Sequence, residues 1–84
     1  MLPETREMDR KILGNFLRWG FGSEREALKT KENPDGNKNL PWNMAFNRLH
    51  SLGIIEKVPE SKDLYRIPPH LVREVGKFVG KPKK

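Results

Sequence analysis

Residues 45–58 read Ala45-Phe46-Asn47-Arg48-Leu49-His50-Ser51-Leu52-Gly53-Ile54-Ile55-Glu56-Lys57-Val58, and the periodicity of the stretch changes at the glycine. Up to Leu52 the apolar residues Trp42, Ala45, Phe46, Leu49 and Leu52 recur at three- and four-residue spacing. That spacing predicts an amphipathic helix with these five on its inward face. Gly53 ends the helix, since glycine enters the left-handed backbone region without steric cost. Beyond it, Ile54 to Val58 is short and β-branched, the composition of a strand. The sharp turn places Ile54 and Ile55 against the same small core that the helix covers.

Working downstream, Pro59 to Asp63 is rich in turn formers, and Leu64 to Ile67 is again short and partly aromatic. The two runs predict a hairpin. Pro68-Pro69 stops the second strand, after which Leu71, Val72, Val75, Phe78 and Val79 define a further amphipathic helix ending near Gly80. That helix either closes the core or pairs with a second copy as a homodimer. Residues 81–84 carry Lys81, Lys83 and Lys84 and are expected to be a disordered basic tail.

Upstream, Asn39 is placed to cap the central helix, with Pro41 in its first turn, where a missing N–H costs nothing. Lys31 to Lys38 contains Asn-Pro and Asp-Gly pairs and reads as a loop of about eight residues. Before it, Ser23 and Glu26 match a capping box opening a short helix over 24–30. Gly20-Phe21-Gly22 breaks the chain between this helix and a first amphipathic helix over 5–19, whose apolar face is Met8, Ile12, Leu13, Phe16 and Leu17.

Eighty-four residues, 35% of them hydrophobic and 33% charged, fit one domain with a lean core and argue against a deep catalytic cavity. With no cysteine, neither a disulfide framework nor a thiolate zinc site is expected. No apolar run suits a signal peptide or a membrane span, which predicts a soluble, intracellular protein, cytoplasmic and nucleoid-associated, or nuclear in a eukaryote. The net charge of +6 favours polyanionic partners. Its distribution is uneven: between Gly36 and Ile55 there is no acidic residue at all.

The order helix, short helix, loop, helix, hairpin, helix resembles that of winged-helix transcription regulators. The resemblance covers roughly residues 8–67. It is most specific from Leu49 onward, in the Leu52-Gly53 hinge, the Ile54-Ile55 strand start and the closing Leu64-Tyr65-Arg66-Ile67. It implies an α+β, mostly α fold: a three-helix core, a C-terminal β-hairpin wing and an additional C-terminal helix, in one domain over 5–80. It further implies that the third helix enters a DNA major groove while the wing rests on neighbouring backbone. Helix-turn-helix units usually turn in three or four residues, so the loop before this third helix is long for the type.

If five residues of the third helix face inward, Asn43, Met44, Asn47, Arg48 and Ser51 point outward or flank. Asparagine at 43 or 47 suits adenine, Arg48 suits guanine, and Met44 suits a thymine methyl. Lys38 before the helix and Lys57, Lys62 and Arg66 in the hairpin are candidate phosphate contacts, which position without specifying. Double-stranded DNA is therefore the expected partner. The competing expectations are a winged helix used for protein contact and a binder of RNA or single strands.

No chemistry is encoded alongside. His50 and His70 lie far apart without a ligand cluster, so no metal or cofactor is expected. Ser51 and His50, adjacent on a helix, point about 100° apart and do not form a nucleophile–base pair. Gly20-Phe21-Gly22 lacks the spacing of a phosphate loop. Trp42 aligns with Phe46 and Leu49 and is expected in the core rather than stacked on a base, and Trp19 and Phe21 are expected to be buried likewise.

Overall fold

The computed structural model describes residues 3–80, with side chains from Glu7 to Val79; the basic tail at 81–84 lies outside the described residues. The elements are helix α1 (Pro3–Trp19), strand β1 (Phe21–Ser23), helix α2 (Glu24–Ala27), helix α3 (Leu40–Ser51), strands β2 (Glu56–Lys57) and β3 (Leu64–Arg66), a 3₁₀ turn over Pro69–Leu71, and helix α4 (Val72–Gly80). The fold is α+β and mostly helical, with one small antiparallel sheet in the order β1-β3-β2.

Helix α3 ends as its sequence requires. Gly53 has φ +80°. The amide of Gly53 donates to the carbonyl of His50 and that of Ile54 to the carbonyl of Leu49, both at 3.0 Å. This reciprocal pair satisfies the last carbonyls of the helix and folds Ile54 back beside Leu49. Leu52, expected inward, is instead 61% exposed. The turn begins at that residue, and Ile55, buried to 1%, supplies the core contact that an inward Leu52 would have made. Asn39 occupies the N-cap position with extended backbone, but its side chain makes no capping hydrogen bond.

The core is one cluster of Ile12, Leu13, Phe16, Ala27, Leu28, Trp42, Ala45, Phe46, Leu49, Ile55, Ile67 and Val75. Trp42 is buried as expected; Trp19 and Phe21 are exposed. Helix α4 closes the cluster against α1, with Val79 facing Gly14: a methyl at Gly14 would meet Val79 Cγ1 at 3.6 Å, an ordinary van der Waals contact. The Arg10 guanidinium lies 5.4 Å from the centre of the Phe78 ring on the same side.

Strand β1 was not expected. It forms where the Gly-Phe-Gly break was read, because β3 offers a free edge: Phe21 pairs with Arg66, Gly22 with Tyr65 and Ser23 with Leu64. On the other edge of β3, Glu56 pairs with Arg66 and Lys57 with Tyr65. The hairpin tip is tied by its own side chain, since Ser61 Oγ accepts from the amides of Asp63 and Leu64 at 3.2 and 3.1 Å. The amides of Val58 and Ser61 donate within the same loop.

Helix α2 begins with the expected capping box, in which Glu26 N donates to Ser23 Oγ and Ser23 N donates to Glu26 Oε1. It stops at Ala27 rather than Thr30 because the Thr30 amide turns to Asn33 O, and Asn15 takes the Ala27 carbonyl that the next turn would use. Asn15 Nδ2 donates to Ala27 O and Lys29 O, at 2.8 and 3.0 Å. Asn33, buried to 3%, donates from its Nδ2 to Leu28 O and Asn37 O, at 2.9 and 3.0 Å. The long loop is thus fastened to α1 and α2. Gly36 lies in it at φ +67°, where a Cβ would stand 2.3 Å from the Arg25 carbonyl oxygen.

Two outcomes follow for stability. Gly53→Ala, whose Cβ meets nothing, should cost about 1–2 kcal/mol from the left-handed backbone alone. Gly36→Ala should cost more than Gly53→Ala, because it adds a backbone clash; urea unfolding of the two variants reads the difference. The second outcome concerns Lys11, which joins α1 to Glu32 of the loop at 2.7 Å. Its hydrogen bond holds the Glu32 carboxyl below its ordinary value of 4.5. A depressed carboxylate stabilises the fold above that value, and the contribution is lost as pH falls through the lowered one. Glu32→Gln should accordingly lower the neutral region of a stability–pH curve slightly and flatten its acid limb, so that variant and wild type converge at low pH.

Candidate nucleic-acid interface

Helix α3 presents four arcs, because each residue advances about 100° around the axis. The inward arc is Trp42, Ala45, Phe46 and Leu49. One flank meets the hairpin: the Tyr65 ring stands edge-on to Phe46 at 5.1 Å and to His50 at 5.6 Å. The opposite flank meets α1, where Arg48 Nη2 is ion-paired with Asp9 Oδ2. The fourth arc, with Leu40, Met44, Asn47 and Ser51, faces solvent, and Asn43 lies between it and the hairpin flank.

The nine residues anticipated from sequence therefore divide. Asn43, Met44, Asn47 and Ser51 come together on the outward side, with Asn47 Nδ2 3.4 Å from Asn43 Oδ1. Met44 is 60% exposed and the neighbouring Leu40 69%. Arg48 lies on the α1 flank, held by a carboxylate whose side chain is only 7% exposed. Arg66 Nε is bonded to Glu56 Oε2 at 2.7 Å across the strands. Lys38 Nζ lies 3.6 Å from Glu24 Oε1. Lys57 and Lys62 are exposed and have no ion pair among the described residues; Lys57 Nζ sits 5.7 Å from the centre of the Tyr65 ring.

Charge is distributed differently on the two parts of this surface. The outward arc of α3 has no acidic residue. The hairpin carries Glu56, Glu60 and Asp63 against Lys57, Lys62 and Arg66, so its cations and carboxylates balance. Positive potential at the ribbon depends on which charges are already paired, and the Arg66–Glu56 bond leaves Lys57 beside α3 and Lys62 at the tip.

Two residues of this surface were not anticipated. His50 is exposed and stands between Asn47 and the Lys57–Tyr65 pair, so it belongs to the seam where α3 meets the hairpin. Its spacing, three residues after Asn47 and seven after Asn43, places it on that flank from sequence alone. Leu40 extends the outward arc by a turn and was hidden by its position at the helix start. The Asp9–Arg48 pair joins residues 39 apart, and nothing local signals it.

No group of three or more His, Asp or Glu side chains suited to a metal ion occurs among the described residues. No helix among them is long and apolar enough to cross a membrane.

Removing Asp9 takes its carboxylate from the partly buried Arg48 guanidinium, and removing Arg48 takes an ion-pair partner from the buried Asp9. A double-mutant cycle with Asp9→Asn and Arg48→Gln, read by urea unfolding, should give a coupling of about 1–3 kcal/mol. A coupling near zero would mean that the pair does not hold α3 against α1. Comparison with protein-family models, with curated proteins and with solved structures finds no match to this chain.

Proposed function

We infer that the chain is a winged-helix domain that binds double-stranded DNA, as a transcriptional regulator or a DNA-targeting domain. One observation carries the reading: a twelve-residue helix leaves an entire acid-free arc exposed beside a projecting hairpin. A major groove admits one α-helix, and Asn43, Asn47 and Ser51 supply uncharged hydrogen-bonding groups for base edges. Met44 and Leu40 supply apolar contact for thymine methyls.

In this reading Lys57 and Lys62 meet phosphates, Lys38 joins them by exchanging its 3.6 Å contact with Glu24 for a phosphate oxygen, and the amino end of α3 adds its partial positive charge. His50 sits at the seam as a further donor to backbone oxygens. Arg48 serves as the strut that sets the angle of α3 against α1, and Arg66 braces the ribbon. Neither is a base or phosphate contact while its ion pair persists.

A second reading, contact with another protein, is favoured by the exposed Leu40 and Met44 at the centre of an uncharged arc. Depletion of charge around an apolar centre is also the composition of a protein interface. Salt separates the two. A domain whose three lysines neutralise about three phosphates should lose duplex affinity with a log–log slope of about −3. A flat response would support protein contact and sink the DNA reading.

Substitution tests the geometry. Asn47→Ala should cost about 1–3 kcal/mol on the preferred duplex and little on random sequence. Lys57→Ala should weaken all duplexes alike and reduce the salt slope by about 0.9. If the two variants behave identically, α3 does not read the groove.

A further inference from the structure

Two features lie away from the outward arc of α3, and each lacks a counterpart among the described residues. The first is a groove of about 520 Å³ between α1, α3 and α4. Leu13, Leu49, Leu52, Ile54, Val75 and Phe78 make its apolar walls. Glu74 on its rim is an exposed carboxylate with no ion pair among the described residues. The volume falls in the range that accommodates a drug-sized ligand, which leaves room for two aromatic side chains.

The second is an aromatic corner. Trp19 is 47% exposed and Phe21 57%, separated by Gly20 at φ +87°. Arg18, next to them, is an exposed cation with no ion pair among the described residues. Tryptophan and arginine are the residue types on which interface energy concentrates. The corner does not fill the groove of its own chain: neither aromatic lines it, and Trp19 ends α1 about 9 Å along the axis beyond Leu13, the groove residue of that helix nearest to it.

We propose that the groove of one molecule receives the Trp19–Phe21 corner of a second copy, with Arg18 of the incoming copy meeting Glu74. Half-exposed aromatic side chains meet an apolar groove, and Arg18 beside the one and Glu74 on the rim of the other are exposed, without an ion pair among the described residues, and opposite in sign. The contact joins two different patches, so every molecule keeps one free corner and one free groove, and association proceeds head to tail until a ring closes. Its small area places it among transient interfaces. It is independent of the duplex reading, since neither patch contains Asn43, Met44 or Asn47.

The test is sedimentation of the whole chain without nucleic acid, from micromolar to about millimolar concentration, the range in which weak contacts populate. The wild type should gain mass with concentration. The Trp19→Ala/Phe21→Ala double variant and the Leu52→Arg variant change exposed positions, should keep the wild-type circular dichroism, and should each remain monomeric. An equimolar mixture of the two should form a one-to-one dimer that does not grow, because one supplies an intact groove and the other an intact corner.

Arg18→Glu and Glu74→Arg should each weaken association by about two- to fivefold. Their mixture should regain the wild-type strength at the contact between them. A wild type that stays monomeric throughout overturns the proposal. So do variants that fail to recombine on mixing, or an assembly that stops at a dimer and survives Leu52→Arg.

Discussion

The burial of one arc of α3 is the constraint on which the rest of the molecule depends. Trp42, Ala45, Phe46 and Leu49 face a core to which α1 contributes Ile12, Leu13 and Phe16 and the segments around the hairpin contribute Ile55 and Ile67. Once that arc is committed, the other three are assigned by rotation: hairpin on one flank, α1 and α4 on the other, solvent opposite. Any functional use of α3 draws on whatever residues occupy the remaining arc. Here they are uncharged.

That constraint also explains what was legible in the sequence. Elements whose identity depends on spacing or on a single backbone conformation were readable: the face of α3, the turn at Gly53, the capping box at Ser23, the hairpin, and α4. Elements that depend on a distant partner were not. Strand β1 exists only because β3, some forty residues later, offers it an edge. The early stop of α2 is enforced by the Asn15 side-chain amide and by the Asn33 carbonyl that takes the Thr30 amide, rather than by anything within the helix.

The candidate interface divides in the same way. Asn43, Met44, Asn47 and Ser51 follow from helical geometry and sit together on the outward side. Arg48 lies on the flank that spacing allowed, but spacing gives an angle and not the neighbour found there, which is Asp9. Trp19 and Phe21 were expected inside because large aromatics usually are. Exposure at a helix end and at a sheet edge is invisible to periodicity. The loop before α3 is long for a helix-turn-helix, and its buried Asn33 makes it part of the scaffold.

The side-chain tie at the hairpin tip limits how that tip meets any anion. Ser61 occupies the amides of Asp63 and Leu64, and those of Val58 and Ser61 are likewise turned inward. A loop of this kind does not form the concave row of main-chain donors that encloses a phosphate. What the tip extends is a lysine ammonium between two carboxylates, a long-range attraction that ionic screening erases before any shape-specific grip is felt.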